Sequence, residues 1–188
     1  MTSSNTPPIS IPDLSNLILF GYKSCGKTYL GQKLAQRLDR PFLDTDFLIE
    51  KKYTDQFQKK LSCREIVKRH GEPFFRLLEL EVLSSLTHVQ QAVIALGGGA
   101  LLKQEARDLL QSLGRLIYLD VDKQILKERM LGLEAPAFLD KENPLESFEK
   151  MYRERQPIYN SVSHVKVVVS GKDESEVLDE LKALADIQ

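Results

Sequence analysis

The stretch Gly21-Tyr22-Lys23-Ser24-Cys25-Gly26-Lys27-Thr28 decides how this chain is read. It fits the pattern G-x-x-x-x-G-K-[ST]. The apolar run Leu17-Ile18-Leu19-Phe20 precedes it, and a helical pattern from Lys27 to Leu38 follows. Glycines let the backbone turn its N–H groups inward around phosphate oxygens, and the helix adds the positive end of its dipole. Lys27 is placed to reach the outer phosphates, and the Thr28 hydroxyl to ligate Mg²⁺. Gly21, Ser24, Cys25, Gly26, Lys27 and Thr28 are therefore the expected nucleotide-binding loop. Cys25 is read as a small residue that fits it, with no chemistry of its own.

Outward from this loop, short apolar runs alternate with amphipathic stretches. Phe42-Leu43, Ala92–Leu96, Leu116–Leu119 and Val165–Val169 read as further strands, apolar on both faces, as a helix-covered parallel sheet requires. Helical patterns cover Glu72 to Leu86, Glu105 to Leu113 (closed by Gly114 as a C-cap), Lys123 to Met130, and the chain from about Glu174. This alternation predicts a three-layer α/β domain over 16–188, preceded by a mobile polar tail over residues 1–15. Gly132 to Asn143 lacks periodicity and reads as an inserted loop or lid.

Composition narrows the class. Lys+Arg 26 against Asp+Glu 27 gives a formal charge of -1, which argues against bulk nucleic-acid or membrane-surface binding. No apolar run reaches membrane-spanning length, and the N-terminus does not read as a secretory signal. The two cysteines, Cys25 and Cys63, have no Cys-x-x-Cys spacing, which fits a reducing compartment. The histidines at 70, 88 and 164 form no ligand spacing and read as surface or capping residues. Without an Asn-Lys-x-Asp tetrapeptide for guanine, the loop belongs to a small kinase or to a nucleotide-binding module without turnover.

Other stretches bear on that choice. Asp44-Thr45-Asp46 ends the second strand. On an extended segment its two carboxylates point the same way, toward a ligand crevice, although a turn cap is an equal reading. Gly97-Gly98-Gly99 ends the third strand and permits close approach of a ligand or another segment. Arg76 and Glu79 share a helix face. Arg155 lies in Arg155-Gln156-Pro157-Ile158-Tyr159, and Arg129 just before the proposed lid.

Together, Gly21–Thr28, Phe42–Asp46 with Glu50, Gly71-Glu72 with Phe75-Arg76, Leu96–Ala100 and Arg155-x-Pro157-x-Tyr159 resemble shikimate kinase in content and order, over roughly residues 16 to 170. The resemblance implies a nucleoside monophosphate kinase-like P-loop fold, with a five-stranded parallel sheet, helices on both faces and a mobile lid over about 131–143. It implies transfer of the γ-phosphoryl of ATP to the 3-hydroxyl of shikimate. Lys27 would hold the transferring group, and Thr28 and Asp44 the Mg²⁺. Asp46 would orient or deprotonate the acceptor hydroxyl. Arg76 and Arg155 would clamp the shikimate carboxylate, with Glu79 behind Arg76. Gly98 and Gly99 would line the ring, and Arg129 would pack near the adenine. It further implies a monomer whose partners are ATP and shikimate; the missing signal and the use of ATP point to a cytoplasmic protein, and the charge balance to no nucleic-acid or membrane partner. A guanidinium pair suits a planar carboxylate. One departure stands out: Ala135, in Glu134–Leu139, occupies the place of the family's lid arginine. Either Lys141 or Arg129 supplies the charge, or turnover is slow, or ligands bind without efficient transfer. Ala135→Arg raises kcat if the missing charge limits the rate. A gluconate-type kinase and a nucleotide-binding module with little turnover are the alternatives.

Overall fold

The computed structural model describes residues 15–132, 139–140 and 142–185. Residues 1–14 of the expected tail, and most of the expected lid with Ala135 and Lys141, lie outside the described residues.

Five strands, β1 (Asn16–Phe20), β2 (Phe42–Asp44), β3 (Val93–Ala95), β4 (Gly114–Asp120) and β5 (Val165–Val168), pair in parallel in the order β2-β3-β1-β4-β5. Every residue of β1 and all but the last of β4 are buried, so the sheet is covered on both faces. The helices are α1 (Lys27–Leu38), α2 (Thr45–Phe57), α3 (Cys63–His70), α4 (Glu72–Ser85), α5 (Gln104–Leu113), α6 (Lys123–Leu131), α7 (Pro144–Val162) and α8 (Glu174–Ala183). No helix among the described residues is long and apolar enough to cross a membrane.

The strand register is what assembles a site. Leu19 pairs with Ala95, and Ala95 with Asp44. The chain therefore leaves β1, β2 and β3 at one level on the carboxyl edge of the sheet, beside the reversal of strand order. Ligands bind parallel sheets there. A second, smaller core of Ile49, Tyr53, Ile66, Phe75, Leu78 and Val82 joins α2, α3 and α4 next to that edge.

Several local expectations need correction. Asp46 is not on an extended segment. Asp44 closes β2 and caps α2, its Oδ1 accepting the N–H groups of Asp46 (3.0 Å) and Phe47 (3.3 Å), donors that a helix start leaves free. Gly114 is the C-cap of α5 as expected, with extended rather than left-handed backbone (φ 170°), and it opens β4. Close packing requires glycine there, since a Cβ would stand 2.5 Å from the Asn16 carbonyl oxygen. Two histidines prove to be structural latches: His164 Nδ1 accepts the Leu116 N–H at 2.9 Å, and His70 Nε2 shares a 2.8 Å hydrogen bond with the Tyr53 hydroxyl.

Candidate active site

The turn after β1 is built as its glycines and Lys-Thr pair require. Gly26 precedes α1 with φ 99°, and Ser24 is also left-handed at φ 64°. Lys27 Nζ donates to the carbonyls of Gly21 (3.1 Å) and Tyr22 (2.8 Å), so the ammonium sits over the loop. Tyr22 is fully buried. Its ring stacks on Tyr152 of α7 at 4.9 Å between centroids, and its hydroxyl donates to the Tyr152 carbonyl. Arg129 of α6 donates to the Ser24 carbonyl at 3.1 Å. The loop is thus pinned from two helices. Cys25 is buried and unpaired to any other cysteine.

The Thr28 hydroxyl donates to Asp44 Oδ2 at 2.7 Å, which brings together the two oxygens expected to share a cation. Among the described residues no cluster of three or more His, Cys, Asp or Glu side chains could hold a metal by itself. The Thr28–Asp44 pair fits a hard cation that takes its remaining oxygens from a nucleotide and water. Asp46 follows in the first turn of α2. Burial pushes its carboxyl above the ordinary range. The Asp44 charge adds to this and Glu50 does so less, while Lys27 and Lys23 oppose it. A carboxylate so placed is a better proton acceptor than one in water.

The three glycines after β3 are a seat for side chains. A Cβ on Gly97 would collide with Asp46 Oδ1, and one on Gly99 would meet both Arg76 guanidinium nitrogens. The Gly97 N–H donates to the buried Thr45 hydroxyl at 2.9 Å, tying the turn to the end of β2. The Gly98 carbonyl accepts from Arg155 Nη1 (2.8 Å) and from the Tyr159 hydroxyl (2.6 Å). Arg76 is gripped by the buried Glu79 at 2.8 Å, as expected, and also by Glu72 at 2.9 Å. Burial raises the Glu79 pKa, and the Arg76 charge holds it down in part.

Arg76 on α4, Arg155 on α7 and Asp46 on α2 therefore converge on one glycine turn beside the phosphate loop. The sequence-predicted site residues among the described residues lie at this edge. Thr45, Glu72 and Tyr159 join them without having been assigned a role. Each stood inside a stretch that carries the resemblance: Phe42–Asp46, Gly71-Glu72 and Arg155-x-Pro157-x-Tyr159.

A family model described as shikimate kinase matches residues 23–185. The chain belongs to the shikimate kinase family. It is an ATP-dependent phosphotransferase of that family. The shikimate kinase of Syntrophus aciditrophicus is 38% identical over 181 residues, covering 90% of each chain. That of Alkaliphilus oremlandii is 32% identical, covering 89% of this chain and 97% of its own. The shikimate kinase of Acinetobacter baumannii, solved in complex with shikimate, superposes with a TM-score of 0.81 at 29% identity, covering 92% of this chain and 93% of its own. A gluconokinase from Sinorhizobium meliloti shares the fold alone, at TM-score 0.54 and 17% identity.

Proposed function

We propose that this chain transfers the γ-phosphoryl of ATP to the 3-hydroxyl of shikimate, giving shikimate 3-phosphate and ADP. The observation that carries the reading is the convergence of Asp46, Arg76 and Arg155 on Gly97–Gly99, within reach of the Lys27 loop. Two guanidinium groups facing one small space suit a planar carboxylate. A carboxylate of raised pKa beside them suits the hydroxyl that must attack.

In this reading the loop amides and Lys27 hold the phosphates, and Arg129 steadies the loop near the base. Arg76 and Arg155 fix the acceptor by its carboxylate, with Gly98 and Gly99 against its ring. The acceptor oxygen forms a bond to the γ-phosphorus as the bond to the bridging oxygen breaks. ADP leaves with that electron pair, and the hydroxyl proton passes to Asp46. Thr28 and Asp44 would hold Mg²⁺, which supplies charge neutralisation at the phosphates when bound. Most of the catalytic effect is alignment and electrostatics. We further propose that residues 16–188 act as one domain, as a cytoplasmic monomer with no nucleic-acid or membrane partner.

The experiment is a coupled assay of ADP release with ATP, Mg²⁺ and shikimate, with gluconate and nucleoside monophosphates as competing acceptors. Shikimate-dependent release, abolished in Asp46→Asn, supports the reading. Release with gluconate or a nucleotide alone overturns it. Shikimate binding without release would instead make this a nucleotide-binding module.

A further inference from the structure

Among the described residues, the cations around the site are engaged, with one exception. Lys27 donates to the loop carbonyls, Arg76 to Glu72 and Glu79, Arg129 to Ser24 and Arg155 to Gly98. Lys23, the third residue of the loop, is exposed, and its ammonium has no hydrogen bond or ion pair among the described residues. Its place is central. The Lys23 backbone nitrogen lies 3.6 Å from where a Cβ on Gly98 would stand, so the residue faces the glycine turn across the mouth of the phosphate loop. A free lysine on a surface is most often merely solvated. This one shares a tight loop with a second ammonium, Lys27. Such a pair of like charges is best balanced by an anion placed between them.

We infer that the Lys23 ammonium contacts the phosphoryl group as it passes from ATP to the acceptor oxygen, and is a further catalytic residue of this site. The inference rests on the transfer reaction proposed above. In that transfer the moving group carries its charge on three equatorial oxygens, and a cation aimed at them lowers the barrier. Lys27 approaches from the floor of the loop. Lys23 would approach from its rim, on the acceptor side, its four-carbon stem allowing it to follow the group.

The test compares wild type with Lys23→Met and Lys23→Arg in the coupled ADP-release assay with ATP, Mg²⁺ and shikimate, alongside thermal melts. The expected result is a roughly 10- to 100-fold fall in kcat for Lys23→Met, with KM for ATP and the melting temperature little changed, and partial recovery in Lys23→Arg. Wild-type kcat in Lys23→Met overturns the role of Lys23 and leaves the proposed function standing. Equal losses in both variants with lowered melting temperatures also overturn it. Absence of shikimate-dependent release in the wild type would overturn the underlying reading instead.

Discussion

Arg76 fills the space that a side chain at residue 99 would need: a Cβ on Gly99 would stand 2.5 Å from one guanidinium nitrogen and 2.8 Å from the other. The obstacle is the tip of a flexible side chain, so Gly99→Ala should fold and displace Arg76 rather than the turn. Displacement loosens Arg76 from Glu72 and Glu79 and from its place facing the acceptor. Loss of one charge-assisted contact to a carboxylate corresponds to about 1.5–3 kcal/mol, or roughly 10- to 100-fold in affinity. The expected result is a rise of that size in KM for shikimate, with a nearly unchanged melting temperature. Gly97→Ala pushes on Asp46 instead, so its loss should fall on kcat, about 100-fold for a misplacement near 1 Å. Steady-state kinetics on both variants check the split. The same KM rise in both would show that the turn moves as a unit.

Glu79 tests how Arg76 is held. Glu79 is 3% exposed, and its Oε2 accepts from Arg76 Nη1 at 2.8 Å. Glu79→Gln preserves shape and removes the buried charge that orients the guanidinium. Because Arg76 keeps some contact with solvent, the full penalty of a broken buried pair does not apply, and a loss of about 2 kcal/mol is expected. For a chain of this size that is roughly 4–8 °C in melting temperature. KM for shikimate should rise about tenfold. Glu72→Gln, at an exposed carboxylate, should leave the melting temperature almost unmoved. Equal effects of the two variants on stability would contradict the asymmetry of the clamp.

Much of this site is legible in the sequence alone, for reasons that differ from residue to residue. The phosphate loop is local: its glycines, Lys27 and Thr28 act within eight consecutive residues, and α1 begins where the motif says it must. The strands stood out because they are apolar on both faces. Helix α7 was hidden by Pro157, which interrupts a helical pattern but is absorbed within the helix at the loss of one hydrogen bond. Helix α3 carried a readable signal, the capping box of Ser62 and Glu65, which the apolar pattern around it did not reinforce. The extended reading of Asp46 failed because Asp44 caps a helix that starts at once. Thr45 acts through the parallel register that brings distant turns together, which no local pattern encodes, whereas Glu72 holds Arg76 from one turn away on the same helix.

The phosphate loop also holds one residue in an unfavourable conformation. Ser24 has φ 64°, a region where a side chain costs about 1 kcal/mol and glycine nothing. Its carbonyl, not its side chain, makes the contact to Arg129. Ser24→Gly should therefore keep the loop and relieve the strain, offset in part by the greater freedom of glycine when unfolded. The net expectation is a rise in melting temperature of about 1–3 °C with KM for ATP within about twofold. A fall in melting temperature would mean that the Ser24 side chain contributes more than its conformation costs.

His164 makes stability depend on pH in one direction. Burial, helped by the Arg115 charge, lowers its pKa below the ordinary histidine value. The neutral ring is required, since Nδ1 accepts the Leu116 N–H at 2.9 Å between the start of β5 and the middle of β4. As pH falls below about 6.5 the unfolded histidine takes up a proton that the folded one resists. Its contribution is thus present in full above that pH and is lost as pH declines through the folded value. His164→Asn offers a carbonyl oxygen to the same N–H and removes the titration. In urea melts, the drop in midpoint between pH 7.5 and pH 5.5 should be smaller for His164→Asn than for the wild type. Other titrating groups are common to both proteins and cancel in the difference. An identical drop would place the proton on a different group and leave the Leu116 contact intact at acid pH.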